Sequence, residues 1–198
     1  MERQVFALVP FEAAAPAVTI GGRLRVGAAE PGGTGLVLEL TFDVRSQPEH
    51  HGLAGLALPR PPAGVAGGPG EGARRDGLWE HTCLECFLAP AGQPHYLEFN
   101  LAPDGAWNVY ALDAYRQGLR PAAEYRSLPF HCRIGPEALQ LELRCPLPSS
   151  WHGVRAIDWQ VSAVLENLDG GLSHWALRHP AAAADFHDRR QWSRGELL

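Results

Sequence analysis

Lysine is absent from the 198 residues, so all basic charge rests on arginine and histidine. The formal net charge is −5 at pH 7, with no basic stripe or cluster. A surface that neutralises a row of phosphates needs one, so no nucleic-acid partner is expected. Long apolar runs are also missing. No window approaches the roughly 20 residues of a membrane span. The first twenty residues are interrupted by Pro10 and Glu12 and do not form the continuous apolar centre of a secretory leader. The chain is therefore expected to be cytoplasmic and off the membrane, with its four cysteines reduced. No Gly-rich phosphate loop joins a strand to a helix. No nucleophile elbow and no defensible Ser/His/Asp set is present. Hence no catalytic residue and no cofactor is assigned, and the sequence points to no particular protein partner.

The length suits one large domain, and 45% hydrophobic content is enough for a sizeable core. The expectation is a single domain over residues 1–198. The chain holds 22 Gly and 17 Pro, about a fifth of all residues. Much of that excess falls at about 46–77, where PRPPAGVAGGPGEGARRDG lacks periodicity. This stretch reads as a long loop, least ordered from Pro59 to Asp76 and most open to proteolysis near Arg74 and Arg75.

Elsewhere the pattern is that of short strands. In LVLELTFDVR, Leu36, Leu38, Leu40, Phe42 and Val44 alternate with Glu39, Thr41, Asp43 and Arg45. Such period-two alternation marks a strand buried on one side. LQLELRC repeats it with Leu139, Leu141, Leu143 and Cys145. Val18 to Val26 reads as a strand with a bulge or turn at Gly21-Gly22, and further strands are read at Tyr125–Ile134, Ile157–Asn167 and Leu172–Arg178. The tail has room for a short helical turn at Ala181–Ala184. No long segment has a helical period, so the fold class is all-β, an antiparallel sandwich or barrel.

The stretch Leu78–Arg116 concentrates two of the six Trp, three of the four Tyr and two of the four Cys. It reads as three antiparallel strands, with Asp104-Gly105 as a two-residue hairpin turn and the last strand continuing to Arg116. In YLEFNL, Leu97, Phe99 and Leu101 share one face, and Tyr96, Glu98 and Asn100 the other. Trp107 and Tyr110, beyond the turn, are expected beside them, making an aromatic wall next to hydrogen-bonding groups. Two readings stay open. Trp79, Trp107 and Trp175 are either sandwich core or ring platforms. Glu98 and Asn100 are either ligand contacts or a solvated strand face. Glu85 sits mid-strand, where a buried carboxylate needs a partner, and Arg116 or Arg144 can supply one. Cys83 and Cys86 are three apart on a strand and so face opposite sides, which disfavours a shared metal. His50, His51, His174, His179 and His187 show no tight ligand spacing, and no metal site is assigned.

Three stretches carry a resemblance: LWEHTCLECFLAP, YLEFNLAPDGAWNVYALDAYR and HWALRHPAAAADFHDRRQW. They resemble the DOMON-like domain, whose superfamily includes the family 9 carbohydrate-binding modules. The specific features are Trp79, Thr82, Glu85 and Phe87 in a Trp-x-x-Thr-x-x-Glu-x-Phe run, and the late Asp185-Phe186-His187. The resemblance implies a β-sandwich whose concave face binds a sugar or a haem. Haem-binding relatives use Met and His ligands, and the single methionine here is Met1, so that pair is missing. Sugar-binding relatives stack a ring on Trp and bond its hydroxyls with Glu, Asn, Gln and Arg. Residues of those types here are Trp79, Trp107 and Trp175, with Glu85, Glu98, Asn100 and Arg116; Tyr96 and Tyr110 join them from the strand pattern. The expectation is non-catalytic binding of a carbohydrate or glycoconjugate. The alternatives are a protein-interaction module, or a glycoside-acting enzyme using Glu85 and Glu98 as paired carboxylates.

Overall fold

The structure is a computed structural model that describes residues 1–30, 33–47, 52–59 and 72–197. Its strands are β1 (Gln4–Pro10), β2 (Val18–Ala28), β3 (Leu36–Ser46), β4 (Cys83–Pro90), β5 (Tyr96–Leu101) and β6 (Trp107–Leu112), followed by β7 (Arg120–Pro121), β8 (Phe130–Ile134), β9 (Ala138–Pro146), β10 (Ala156–Glu166), β11 (Leu172–Ala176) and β12 (Ser193–Glu196). All the strand pairs are antiparallel. Among the described residues the remaining regular structure is short 3₁₀ turns, and no helix is long and apolar enough to cross a membrane. The all-β sandwich expected from the strand pattern is the observed class.

One sheet runs β8-β9-β3-β2-β1 and the other β11-β10-β4-β5-β6-β7. β1 belongs to both. Gln4 to Leu8 pair with β2, while Val9 and Pro10 pair with β11. β12 pairs with the first half of β10, and β11 with its second half. Leu38, Leu40, Phe42 and Val44 of β3 and Leu139, Leu141, Leu143 and Cys145 of β9 enter the shared core, as their alternation requires. β2 runs straight through Gly21-Gly22 with no turn. A Cβ at Gly22 would lie 1.9 Å from the Thr41 carbonyl oxygen and 2.6 Å from the Phe6 ring, so glycine permits a close approach there.

The second sheet is built differently. Every residue of β4 and β5 is buried, because both of its faces are covered. One face meets the first sheet through Leu84, Cys86, Leu88, Leu97, Phe99 and Leu101. The other carries Phe87, Tyr96, Tyr110, Leu112 and Val164, which pack against Phe186 and Trp192 of the C-terminal segment. That segment is held by ring contacts of Phe87 with His187 and Trp192, and the Arg189 guanidinium lies 4.0 Å above the Trp192 ring.

Several expectations are corrected. Tyr125 to Pro129 lie outside β8, β6 ends at Leu112, and Ala181 to Ala183 form bends, with no helical turn over Ala181–Ala184. The hairpin between β5 and β6 closes on a turn in which Gly105 N–H donates to Ala102 O and Ala102 N–H to Ala106 O. Pro103 and Asp104 are its central residues, and Gly105 follows at φ 91°, a position that favours glycine. The loop therefore has three residues where two were expected. Residues 60–71 of the expected loop, with His50 and His51, lie outside the described residues. Its last part is packed. Trp107 N–H donates to Ala73 O, and Arg75 N–H to Trp107 O. Asp76 accepts from Asn108 and from the Tyr110 hydroxyl, each at 2.8 Å. Arg74 lies over the Trp107 ring at 4.9 Å.

Candidate functional site

The covered face of the second sheet encloses a half-open cleft of about 360 Å³, with Glu85, Phe87, Glu98, Trp79, Arg116 and His187 among its lining residues. This volume lies within the roughly 300–1,000 Å³ typical of small-molecule sites. Strand register sets its floor. Glu85 of β4 pairs with Asn100 of β5 and Ser162 of β10, and Glu98 pairs with Phe87 and Tyr110. Glu85, Asn100, Glu98 and Tyr110 therefore share a face, as alternation demands.

The polar groups on this floor are buried. Glu85 and Glu98 are 2% and 4% exposed. Ser162 Oγ donates to Glu85 Oε2 at 2.8 Å. Asn100 Nδ2 donates to Glu98 Oε1 at 2.9 Å. Among the described residues, Glu98 Oε2 and Asn100 Oδ1 have no hydrogen-bond partner. Burial is the main force on both carboxyls. Together with repulsion from Glu98, it pushes Glu85 up to about 8, against the Ser162 hydrogen bond. It pushes Glu98 up to about 7, against Asn100 and the positive charge of Arg116. Two carboxylates desolvated together resist double ionisation, so the pair retains a proton near neutrality.

Trp79 stands on a 3₁₀ turn, Leu78–Glu80, entered through Gly77 at φ 70°. Its ring meets Tyr110 edge-on at 5.6 Å and is 36% exposed. The opposite wall is the turn after β6, locked to the C-terminal segment. Arg116 adopts a left-handed φ of 53°, rare for a residue with a Cβ. Its Nη2 donates to Asp185 Oδ1 at 2.9 Å, and its backbone N–H donates to the Tyr96 hydroxyl. The Tyr115 hydroxyl donates to Asp185 Oδ2. Burial raises the Asp185 carboxyl, but the Tyr115 and Arg116 hydrogen bonds outweigh it and hold the group below the usual carboxylate range. The Tyr96 hydroxyl meets His187 Nδ1 at 2.6 Å. Burial, with Arg116 nearby, lowers His187 to about 4, so this ring is neutral at pH 7. His174 also lines the cleft, and its ring is tied to Glu12 Oε1 at 2.7 Å.

Of the nine residues singled out from sequence, Trp79, Glu85, Glu98 and Arg116 line the cleft. Asn100 braces Glu98 from the same face, Tyr110 backs Trp79, and Tyr96 is buried beneath His187. Tyr96 and Tyr110 are thus buried, each at 2% exposure. For Trp107 and Trp175, of the two readings left open, the structure gives the core and corrects the platform. Both lie in the core between the sheets at 2% and 3% exposure. Their indole N–H groups donate to Gly72 O and Ser173 Oγ. Trp107 pairs with Leu101, which puts it on the face opposite Glu98. Glu85 takes Ser162 as its partner, and neither arginine. Arg116 is bound to Asp185, and Arg144 lies by Glu39 on the other sheet. His174 was weighed from sequence only as a metal ligand, and Phe186 and His187 were given no ligand-binding role. The Asp185-Phe186-His187 motif was the available signal for the last two. All four cysteines are free. Cys83 and Cys86 face opposite sides of β4, and among the described residues no group of three or more His, Cys, Asp or Glu could hold a metal.

At the sequence level no family model and no curated protein matches this chain. At the level of fold there are similar structures. A candidate carbohydrate-binding protein from Bacteroides uniformis superposes with a TM-score of 0.62 at 15% identity, covering 100% of this chain and 86% of that one. A family 9 carbohydrate-binding module from Caldicellulosiruptor kristjanssonii, in complex with cellotriose, superposes with a TM-score of 0.48 at 10% identity, covering 93% of this chain and 77% of that one. The first likeness shows a shared sandwich fold.

Proposed function

We propose that this chain binds a small carbohydrate or glycoconjugate without catalysis, in the cleft behind β4 and β5, as a DOMON-like domain. One observation carries the reading. A half-open cleft has on its floor Glu98, whose buried Oε2 has no partner among the described residues, and on its wall an exposed indole. Buried polar groups are ordinarily satisfied. An unpaired carboxyl oxygen lining a cavity is what a ligand rich in hydroxyl donors would complete. Trp79 and Leu119 supply apolar surface for the C–H face of a sugar ring. The carbohydrate-binding description of the Bacteroides uniformis protein supports the same ligand class.

Each hydrogen bond adds on the order of 1 kcal/mol net, so a single ring should bind with roughly micromolar to millimolar Kd. Calorimetric titration of mono- and disaccharides against the full chain tests this. Saturable binding weakened by Trp79→Ala is the expected result. Absence of binding to every sugar at about 10 mM would remove the reading, since that concentration exceeds the expected Kd range.

A further inference from the structure

The floor of the cleft is unbalanced. Glu85 and Glu98 contribute two carboxyl groups from neighbouring strands, and Glu98 Oε2 is buried without a partner among the described residues. Asn100, 0% exposed, has already turned its amide N–H toward Glu98 Oε1, so it braces that carboxyl and does not meet the ligand's charge. The floor thus offers acceptors and negative charge. Among the described residues, the basic groups lining the cleft are Arg116, His174 and His187. Arg116 places Nε and Nη2 on Asp185. His174 is bonded to Glu12, and His187 is neutral for lack of solvation. None of them pairs with Glu85 or Glu98.

A sugar hydroxyl brings one proton donor and no charge, whereas an ammonium brings three donors and a full positive charge. An ammonium seated by Glu98 would satisfy the unpaired oxygen and favour release of the proton that the carboxyl pair otherwise retains. Such a charge-assisted bond is roughly twice as strong as a neutral one. Trp79 on the wall is suited to either an ammonium or the apolar face of a ring. We infer that the cleft selects amine-bearing sugars over neutral ones, with Glu98 and Glu85 receiving the ammonium. The inference rests on the carbohydrate-binding reading and narrows its ligand class.

The test titrates the full chain at pH 7 with glucosamine, N-acetylglucosamine and glucose, then repeats the series with Glu98→Gln and Glu85→Gln. Glucosamine should bind at least about ten-fold more tightly than glucose, a difference of about 1.4 kcal/mol. Acetylation, which removes the charge, should abolish the advantage. Either glutamine variant should bring the glucosamine-to-glucose ratio toward one, and the second variant serves should the first fail to fold. Equal affinity for the three sugars in the native protein would overturn the inference and leave the carbohydrate reading in place. A preference undiminished in both variants would also overturn it. Binding of none of the three would remove both readings.

Discussion

Glu98→Gln should stabilise the free protein at alkaline pH. Desolvation raises both carboxyl groups above their ordinary 4.5, with repulsion from Glu98 adding to it at Glu85, so that Glu85 reaches about 8 and Glu98 about 7. A carboxyl raised in the folded state binds more protons folded than unfolded. Its contribution is full below pH 4.5 and is lost as pH rises through the folded value. His187 acts in the opposite sense, because its folded value of about 4 lies below the ordinary 6.5. The unfolded chain then binds the extra proton, and stability rises with pH between those two values. Above pH 6.5 that term is spent and the carboxyl pair decides. One proton held by the pair from pH 6.5 to 8 corresponds to about 1.4 kcal/mol per pH unit, or about 2 kcal/mol over the window. The groups around the pair, Arg116, Asp185, His174, His187 and Tyr96, are kept in the variant. Glutamine also keeps the Oε1 acceptor used by Asn100. Urea denaturation at half-unit steps from pH 5 to 9 measures the effect. The wild type should lose about 2 kcal/mol between pH 6.5 and 8, and the variant clearly less. Above pH 8 the variant should be the more stable. A variant less stable than wild type at pH 8.5, with an unchanged slope, would refute the idea that like charges are crowded in the cleft.

Trp79→Ala should weaken sugar binding with little change in urea midpoint, while Trp107→Ala should cost about 3–5 kcal/mol of stability, because it empties a core position. Thiol titration should find four free cysteines after unfolding, with Cys83, Cys86 and Cys145 slow to react in the native protein because they are buried; two or fewer thiols would contradict this. Asp185→Ala removes the anchor of Tyr115 and Arg116 and should cost about 1–3 kcal/mol, with faster hydrogen exchange at His187; unchanged exchange would show that the rings alone hold the segment.

Legibility in the sequence follows the burial of each sheet. β3 and β9 have one wet face, so their alternation fixed both strand type and inward residues. β4, β5 and β10 are buried on both faces, so alternation in them cannot say which face holds the cleft. The placement of Trp107 shows how a register is lost. A two-residue turn at Asp104-Gly105 would pair Pro103 with Ala106 and put Trp107 on the Glu98 face. The observed three-residue loop shifts the pairing by one, matching Leu101 with Trp107, and a one-residue shift exchanges faces. Tyr110 moves to Glu98 by the same shift. Asn100 and Glu98, two apart on one strand, are insensitive to register and were grouped correctly. The C-terminal cover was hidden for a different reason. Phe186, His187 and Trp192 hold the sheet from irregular backbone in a charged stretch, where no periodicity marks an inward side chain.

The most direct test of the cleft as a sugar site is a two-dimensional NMR titration that follows the six tryptophan indole N–H signals as sugar is added to about 10 mM, above the expected Kd range. The account predicts a saturable shift of the Trp79 signal, with Trp107 and Trp175 still because their indoles are bonded to Gly72 O and Ser173 Oγ in the core. A Trp79 signal that stays fixed at saturating sugar, or one that stays fixed while Trp107 or Trp175 moves, would contradict it.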